Sequence, residues 1–318
     1  MKSLAQASVL VTGGAGFIGS HLVDALLAQG AEVRVLDNLS TGRIENLDSC
    51  RDRFELIEGD IRDLETCRAA CTGVDFVLHQ AALGSVPRSL ADPATTVAVN
   101  CLGTTNVFTA ARDNDVARIV YASSSSVYGD SEQLPKREGS EGRTLSPYAL
   151  SKKVCEDLAA QFSRSFDMQI VGLRYFNVYG PRQRPDGPYA AVIPRFFAAA
   201  LTGKELLIHG DGEQSRDFTA VAEAVTANLL AVRARSADFS VGYNVATGHR
   251  TTVNAIARAI TDLSGRETRV RHESPRPGDV RHSQAELSRS RRDLGYNPRI
   301  TLEKGLRACL SYYLSLFT

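Results

Sequence analysis

Several signatures of common functional classes are missing from this sequence. Its six cysteines are scattered and never form a Cys-x-x-Cys pair, so we expect no metal site and a set of reduced thiols. Neither sign of charge dominates, because 37 lysines and arginines face 36 aspartates and glutamates, a net charge of +1. Such a chain has no general attraction to nucleic acid or to an anionic membrane. Arginine is dense only between residues 266 and 292, where acidic residues interleave, and we interpret that stretch as a solvated face.

Long apolar segments are also missing. The hydrophobic runs fall well short of the roughly 20 residues that span a bilayer. The first residues, Met1-Lys2-Ser3-Leu4, lead quickly into a strand-like segment and do not resemble a signal peptide. We therefore expect a cytoplasmic protein with no membrane partner. With 43% hydrophobic residues among 318, the chain is long enough for a large core in one or two domains.

The first half of the chain alternates strand-like and helix-like segments. Short β-rich runs at 9–11, 32–36 and 118–122 alternate with helical stretches at 18–29 and 95–114. This alternation predicts an α/β fold with a doubly wound parallel sheet. After about residue 180 the sequence becomes irregular and rich in proline and glycine. We predict a first domain over residues 1–180, to which later segments could return, and a smaller C-terminal α/β substrate lobe over 181–318.

A glycine-rich turn stands between the first predicted strand and helix, in Thr12-Gly13-Gly14-Ala15-Gly16-Phe17-Ile18-Gly19. Glycines at 13, 16 and 19 allow a tight turn, the approach of a pyrophosphate and close packing of helix on sheet. The helix N-terminus adds unpaired N–H groups for phosphate. Asp37 ends the next strand, where it would accept from a ribose 2′-OH and repel a 2′-phosphate. We therefore predict a Rossmann site for NAD rather than NADP, with Asp60 against the adenine amine.

Tyr148 and Lys152 lie four residues apart in a predicted helix and so share one face. An ammonium near a phenol lowers the phenol pKa from about 10, which would make Tyr148 a general base near neutrality. A Tyr-x-x-x-Lys pattern alone is equally typical of an ordinary helix surface pair. The four serines at 123–126, followed by Val127-Tyr128-Gly129, and the glycine turn favour the catalytic interpretation.

Taken together, these motifs resemble the extended short-chain dehydrogenase/reductase family, which contains the NAD-dependent epimerases and dehydratases. Within it the chain resembles the nucleotide-sugar 4-epimerases nearly from end to end, and the segment 81–89 resembles the bacterial UDP-N-acetylglucosamine 4-epimerases. Further segments that carry the resemblance are Gly59-Asp60-Ile61-Arg62-Asp63, His79-Gln80-Ala81-Ala82, Arg174-Tyr175-Phe176-Asn177-Val178-Tyr179-Gly180, Gly210-Asp211-Gly212, Ser215-Arg216-Asp217-Phe218 and Arg276-Pro277-Gly278-Asp279.

The resemblance implies roles for individual residues. Tyr148 would be the base, Lys152 would bind the nicotinamide ribose, and Ser124, or else Ser125, would hydrogen-bond the reacting oxygen. The residues expected at the cofactor are Gly13, Gly16, Phe17, Ile18, Asp37, Asn38, Asp60, Ile61 and Ala81, with Tyr148 and Lys152. The residues expected at the UDP-sugar are Ser85, Ser124, Ser125, Asn177, Arg216, Arg276, Asp279 and Ser283. Among these, Asn177 and the two arginines would bind the diphosphate, since guanidinium forks match phosphate oxygens, and Asp279 would bind the ribose.

The residues before Val127 separate the reactions that this scaffold supports. Related 4,6-dehydratases carry an Asp-Glu pair there and UDP-glucuronate decarboxylases a Glu, and these carboxylates perform additional acid–base steps. This chain has Ser125 and Ser126 instead, which predicts oxidation and re-reduction only. Tyr148 would take the proton of the sugar 4-OH while hydride passes from C4 to NAD+. The 4-keto sugar would then turn over and be reduced on its other face, with NAD remaining bound.

One position on the far wall of the pocket predicts the sugar. In relatives, the residue four positions after the acid of the Arg-Pro-Gly-Asp segment looks over the hexose C2. Tyrosine there accompanies glucose and galactose, and a small residue accompanies N-acetyl sugars. That residue is Ser283 here, and Ser85 could hydrogen-bond an acetamido group. We therefore predict interconversion of UDP-N-acetylglucosamine and UDP-N-acetylgalactosamine. The alternatives are a 4-epimerase of UDP-glucose/UDP-galactose or of UDP-glucuronate or an N-acetyl uronic acid, whose C6 carboxylate would suit Arg88.

Two further expectations concern packing and assembly. After Phe218 the usual Tyr-Val-Asp-Asp-Val of the family is replaced, leaving Ala220 and Ala222, which would affect packing and substrate affinity but not the Tyr148 chemistry. Relatives pair the helices equivalent to 95–114 and 147–165 in a four-helix bundle, so we expect a homodimer. A redox-inert NAD-binding protein on the same scaffold is disfavoured by the intact set of Ser124, Tyr148 and Lys152.

Overall fold

The computed structural model of the protein describes residues 3–187, 189–239, 241–275 and 280–317. At its centre lies a seven-stranded sheet in which all neighbouring strands are parallel. The strands are β1 (Ser8–Thr12), β2 (Glu32–Asp37), β3 (Phe54–Glu58), β4 (Phe76–His79), β5 (Arg118–Ser124), β6 (Ile170–Tyr175), β7 (Val178–Tyr179), β8 (Leu206–His209), β9 (Ser215–Arg216), β10 (Thr219–Ala220), β11 (Gly242–Val245), β12 (Thr251–Thr252) and β13 (Val270–Glu273).

The order across the large sheet is β3-β2-β1-β4-β5-β6-β11. The chain starts in the middle with β1, moves out to β3, and returns to the other side of β1 with β4. Strand order therefore reverses between β1 and β4, where Thr12 is paired with His79. In open parallel sheets a crevice forms at the carboxyl ends of the strands at such a reversal. The predicted α/β fold with a doubly wound parallel sheet is confirmed.

Helices cover both faces of the sheet. They are α1 (Phe17–Ala28), α2 (Leu64–Cys71), α3 (Val86–Ala91), α4 (Pro93–Val97), α5 (Gly103–Asp113), α6 (Pro147–Phe166), α7 (Val192–Leu201), α8 (Val221–Arg233), α9 (Val253–Ser264), α10 (Ser288–Leu294) and α11 (Leu302–Phe317). Helices α1 and α8 share one core cluster with the sheet, and α2, α5 and α6 share another. Cover on both faces explains the continuously apolar sequence of β1, since parallel strands are buried on both sides.

A third buried cluster lies outside the large sheet. It consists mainly of apolar side chains from α7, α9 and α11, for example Phe197, Ile260 and Tyr313. Three two-stranded pairs, β7 with β10, β8 with β13 and β9 with β12, accompany it. Strand β11 nevertheless joins the large sheet beside β6, so a segment beyond residue 180 does return to it. The domain boundary at residue 180 stays a prediction.

The stretch 95–114, predicted as one helix, is divided in the structure. Helix α4 ends at Val97, a π-helical turn spans Ala98–Leu102, and α5 follows. Such turns insert one extra residue into a helix and are frequent at functional sites. Here Asn100, in the middle of the turn, is fully buried and bonds both the N–H and the C=O of Leu83. The interruption therefore directs a polar side chain to the loop after β4.

Two further observations concern the described residues alone. None of their helices combines the length and the apolar character needed to cross a membrane. Within the same ranges, no group of three or more histidine, cysteine, aspartate or glutamate side chains could hold a metal ion.

Candidate active site

The crevice between β1 and β4 is framed by buried polar residues. Thr12 Oγ1 lies 2.6 Å from His79 Nδ1 and accepts a hydrogen bond from Ala81 N at 3.2 Å, while His79 Nε2 lies 3.0 Å from Thr104 Oγ1 in α5. Burial, together with the smaller effect of the nearby Lys152 charge, lowers the pKa of His79 to about 3. His79 is therefore neutral at physiological pH and ties the two strands and α5 together by hydrogen bonds.

The glycine turn is pressed against the loop after β4. Gly13 has φ +68°, and a Cβ at this position would lie 2.7 Å from Ala81 N. Gly16 N donates to Gly13 O at 3.0 Å, and a Cβ at Gly19 would collide with the same carbonyl. Helix α1 then begins at Phe17, with Gly16 as its N-cap and no side-chain cap hydrogen bond. The N–H groups of its first turn can therefore bind a pyrophosphate, and this cradle, which side chains would fill, fits a dinucleotide.

Two carboxylates stand beside this turn. Asp37 is 7% exposed and accepts hydrogen bonds from Ala15 N at 3.0 Å and Leu39 N at 2.9 Å, and its burial raises its pKa. Asp60 accepts from Asn38 Nδ2 at 2.9 Å and pairs with Arg62, which lowers the pKa of Asp60 to about 2. Asp37, Asn38 and Asp60 are therefore brought together where the adenosine half of NAD was predicted.

The remaining predicted cofactor residues occupy distinct places. Phe17 and Ile18 are the first two residues of α1. Ala81 lies two residues after the end of β4, and its main chain is next to Gly13. Ile61 is 5% exposed and belongs to the core cluster with α2 and α5. Any contact of Ile61 with the cofactor would therefore come from its main chain.

Helix α6 carries the predicted catalytic pair. Its start is fixed by Ser146, whose hydroxyl accepts from Ala149 N at 3.1 Å, and by a proline at the first helical position. Tyr148 lies in the first turn and is partly exposed. Lys152 is 5% exposed, and its Nζ donates to Ala122 O in β5 at 2.8 Å. The ammonium is thereby fixed near the carboxyl end of β5, two residues before Ser124.

Ser124 ends β5, and its Oγ accepts from Ser126 N at 3.1 Å. Ser125 and Ser126 follow in a 3₁₀ turn and are partly buried. The described residues offer no hydrogen-bond partner to the buried Ser126 Oγ. The end of β5 thus presents hydroxyl groups and no carboxylate of its own to the space near α6.

Two buried networks hold α6 in place, and neither was predicted from the sequence. In the first, Asn100 Nδ2 donates to Ser151 Oγ at 2.9 Å, and Ser151 Oγ donates to Tyr148 O at 2.8 Å. Since Asn100 also bonds Leu83, this network connects the loop after β4 to the main chain of Tyr148. The available signal was an amide in the otherwise apolar stretch 97–102.

The second network joins α6 to β5 and β6. Glu156, one turn after Lys152, accepts from Ser123 Oγ at 2.6 Å and from Arg174 Nε at 2.8 Å and Nη2 at 2.7 Å. Arg174 also pairs with Glu141 and lies over the Tyr128 ring at 5.0 Å. A charged pair that is this deeply buried needs several partners, and these partners fix α6 against the strand that ends in the serine run.

Two of the predicted sugar-nucleotide residues, Asn177 and Arg216, lie beside Asp217, for which no role was predicted. Asp217 is fully buried and accepts from Thr247 N and Gly248 N at 2.9 Å and from Ala285 N at 3.2 Å. Its carbonyl accepts from Asn177 Nδ2 at 3.4 Å. Arg216 directly precedes Asp217 in the chain. The buried carboxylate therefore holds together the segments that carry these predicted ligands.

Arg216 and Ser283 lie on neighbouring segments. Arg216 Nη1 donates to Arg281 O at 3.1 Å, and Ser283 N donates to Ser215 O at 3.0 Å. Ser85 is placed separately, before α3 in the loop after β4, with φ +96°. Arg276 and Asp279 fall outside the described residues. The binding roles of all these residues stay predictions.

The structure shows where the residues that replace the family's usual sequence after Phe218 are located. Ala220 is 6% exposed and forms β10, which pairs with β7, whereas Ala222 is exposed on α8. Glu223 is 3% exposed, and its Oε1 accepts from Arg299 N and Ile300 N at 2.6 Å. The small residue at 222 therefore faces the surface, and the acid that follows it anchors the segment before α11.

Comparisons of sequence agree with this arrangement. The chain matches the model of the NAD dependent epimerase/dehydratase family over residues 9–246. The UDP-glucose 4-epimerase of Mycolicibacterium smegmatis is 38% identical over 308 residues, covering 96% of this chain and 97% of that protein. The UDP-N-acetyl-alpha-D-glucosaminuronate decarboxylase of Bacillus cytotoxicus is 30% identical over 315 residues, covering 96% of this chain and 97% of that protein.

Solved structures give the same fold along nearly the whole chain. The UDP-N-acetylglucosamine 4-epimerase of Methanobrevibacter ruminantium, in complex with UDP-N-acetylmuramic acid, has a TM-score of 0.93 and 38% identity, covering 98% of this chain and 99% of that one. The UDP-glucose 4-epimerase of Thermus thermophilus, in complex with NAD, has a TM-score of 0.87 and 35% identity, covering 96% and 99%. These proteins share their fold and differ in the sugars they are named for.

Proposed function

We propose that this chain, which belongs to the NAD dependent epimerase/dehydratase family, is a 4-epimerase of UDP-N-acetylhexosamines. It interconverts UDP-N-acetylglucosamine and UDP-N-acetylgalactosamine through a transient 4-keto sugar. NAD is the cofactor. The reaction type rests on one observation, the serine run at the end of β5 beside the helix of Tyr148 and Lys152. The identity of the sugar rests on Ser283.

The cofactor would be held by the glycine turn, the start of α1 and Asp37, and it supplies a reversible two-electron oxidant. The protein's own residues handle one proton. Tyr148 Oη takes the proton of the sugar 4-OH when C4 is oxidised and returns it when C4 is reduced. Lys152, held on Ala122 O, keeps a positive charge one helical turn from that phenol. The Ser124 hydroxyl binds the reacting oxygen and orients it towards Tyr148.

The same arrangement disfavours dehydration and decarboxylation. Both reactions follow the initial oxidation with a further step that relatives carry out with a carboxylate. Ser125 and Ser126 stand at those positions, and a serine hydroxyl is too weak an acid and too weak a base to replace a carboxylate near neutral pH. A sugar oxidised at C4 can therefore only be reduced again.

A product assay with single UDP-sugars tests the proposal. We expect UDP-N-acetylglucosamine to yield its C4 epimer with a kcat/KM at least about tenfold above that for UDP-glucose, since a small side chain at 283 accommodates the acetamido group. Products are separated by anion-exchange chromatography and identified by NMR. Faster turnover of UDP-glucose would contradict the choice of sugar. Release of CO2 from a UDP-uronic acid, or a 4-keto-6-deoxy product, would contradict the reaction type.

We also propose that the protein is a homodimer. Large apolar side chains are exposed on the packed helices α3, α4 and α6 and on the π-helical turn: Leu90 (62% exposed), Leu102 (51%), Leu150 (50%) and Val97 (43%). Exposed apolar side chains on helices that pack on one another are typical of an interaction site. A two-fold axis would place the same face of a second copy against it, as in the four-helix bundle expected from the sequence.

Charge on this face should weaken the dimer. We expect Leu102→Glu to raise the dimer dissociation constant at least about tenfold, because the carboxylate would have to be buried without a partner. Sedimentation velocity over a range of protein concentrations measures the change. Leu316→Glu, at a 51% exposed leucine of α11, is the matched control and should leave the dimer intact. A wild-type protein that sediments as one 34.4 kDa chain at every concentration would rule the dimer out.

A further inference from the structure

Two cysteines meet where the π-helical turn packs on α6. Cys101 belongs to the turn and is partly exposed, whereas Cys155 belongs to α6 and is 1% exposed. Each thiol donates to a main-chain oxygen of the other's segment: Cys101 Sγ to Ser151 O at 3.8 Å, and Cys155 Sγ to Asn100 O at 3.2 Å. The two thiols also hydrogen-bond each other. These crossed contacts hold the two sulfur atoms side by side.

The surroundings of this cysteine pair favour a thiolate. The hydrogen bond from Cys101 lowers the pKa of Cys155 to about 7 against the effect of burial, and the charge of Lys152 acts in the same direction as the hydrogen bond. The same hydrogen bond raises the pKa of Cys101. The pair therefore gives up one proton readily and keeps the other. Oxidants react with the thiolate form of cysteine, and a neighbouring thiol turns the first product into a disulfide.

The other four cysteines lie in different surroundings. Cys50, Cys67, Cys71 and Cys309 are buried free thiols. Burial raises the pKa of Cys67, of Cys71 and of Cys309 to about 12, so these thiols stay protonated and poorly reactive at neutral pH. Cys67 and Cys71 are also one helical turn apart on α2. They therefore provide a comparison pair in which two cysteines are close but neither is activated.

We propose that Cys101 and Cys155 are a site of reversible oxidation by peroxide, and that the disulfide they form lowers the epimerase activity. The thiolate of one cysteine attacks hydrogen peroxide, so that an S–O bond forms, the O–O bond breaks, and the hydroxide that leaves is protonated to water. The sulfur of the other cysteine then displaces the sulfenic hydroxyl, which leaves as water with the thiol proton, and the S–S bond forms. Two electrons pass from the two sulfur atoms to the peroxide. The effect on activity rests on the proposed function.

The loss of activity follows from the contacts that the disulfide breaks. A disulfide carries no S–H group, so the hydrogen bonds of the two thiols to Ser151 O and Asn100 O are both lost. The side chains of the same two residues, Asn100 and Ser151, form the network that holds the main chain of Tyr148. A displacement of about 1 Å at a catalytic group can lower a rate about 10²-fold. We therefore expect the oxidised enzyme to be at least about tenfold less active than the reduced enzyme.

Treatment of the purified enzyme with hydrogen peroxide tests the inference. After alkylation of the remaining thiols and proteolysis, mass spectrometry should find the peptides of Cys101 and Cys155 linked to each other. Epimer formation from UDP-N-acetylglucosamine should fall at least about tenfold and return when dithiothreitol reduces the disulfide. Cys101→Ala should keep its activity under the same treatment, because Cys155 then lacks both its hydrogen-bond donor and its disulfide partner. Cys155→Ser should behave likewise, which also covers a failure of Cys101→Ala to fold.

Cys67→Ala is the matched control, since it removes one thiol of the comparison pair, and it should lose activity with peroxide as the wild type does. Absence of the linked peptides would overturn the inference. So would a linked pair with unchanged activity, or a loss of activity that persists in both Cys101→Ala and Cys155→Ser. A reduced wild-type enzyme that epimerises no N-acetyl sugar would instead refute the proposed function, and mass spectrometry would still decide whether the disulfide forms.

Discussion

Replacing Tyr148 with phenylalanine should lower kcat by about 10³-fold while leaving the fold and the binding of UDP-sugar nearly unchanged, since acid–base catalysis by one side chain contributes about 10²–10⁴-fold. The substitution removes only the phenolic oxygen. Lys152 would keep its bond to Ala122 O, and α6 would keep its cap at Ser146, because neither contact involves the lost hydroxyl. No other described contact of the Tyr148 main chain is lost either, since Ser151 bonds its carbonyl.

Epimer formation under substrate saturation measures this effect, and calorimetry with UDP-N-acetylglucosamine measures binding. Tyr312→Phe is a matched control, because it removes the same atom from a partly buried tyrosine in α11, and its kcat should equal that of the wild type. Full activity of Tyr148→Phe would mean that another group moves the proton. Complete loss of sugar binding in this variant would mean that Tyr148 holds the substrate instead of acting on it.

Some features of the candidate site follow from local sequence patterns. The glycine turn was predictable because its conformation depends on neighbouring residues, and Gly13 does adopt a positive φ against Ala81. The position of Tyr148 and Lys152 on one helix follows from their spacing and from the cap before them. The doubly wound sheet follows from strand and helix alternation, which is also a local signal.

The buried networks could not be predicted because their partners are far apart in the chain. Glu156 meets Ser123 and Arg174, which lie 33 and 18 residues away. Asp217 meets Thr247 and Ala285, which lie 30 and 68 residues away. A buried acid must find donors, but no local pattern states which ones. These contacts depend on the folded sheet, including β11, which returns to it from beyond residue 240.

Replacing Ser283 with tyrosine should reduce kcat/KM for UDP-N-acetylglucosamine about ten- to a hundredfold and leave UDP-glucose within about threefold, since filling a formed cavity with a large side chain costs about 1–3 kcal/mol. The substitution should spare the backbone. Ser283 N donates to Ser215 O at 3.0 Å, and no described hydrogen bond uses the Ser283 hydroxyl. Its segment lies beside Arg216, the proposed diphosphate ligand, so we expect the new ring to face the bound sugar. The acetamido group at C2 would then meet the phenol, whereas a 2-hydroxyl would not.

The contrast between the two sugars separates this steric effect from general damage. Ser315→Tyr adds the same ring on the exposed side of α11 and should change neither activity. Equal losses with both sugars would indicate a distorted site, and unchanged N-acetyl turnover would show that Ser283 does not face C2. The expected pattern, loss with the N-acetyl sugar alone, would place residue 283 at the C2 wall.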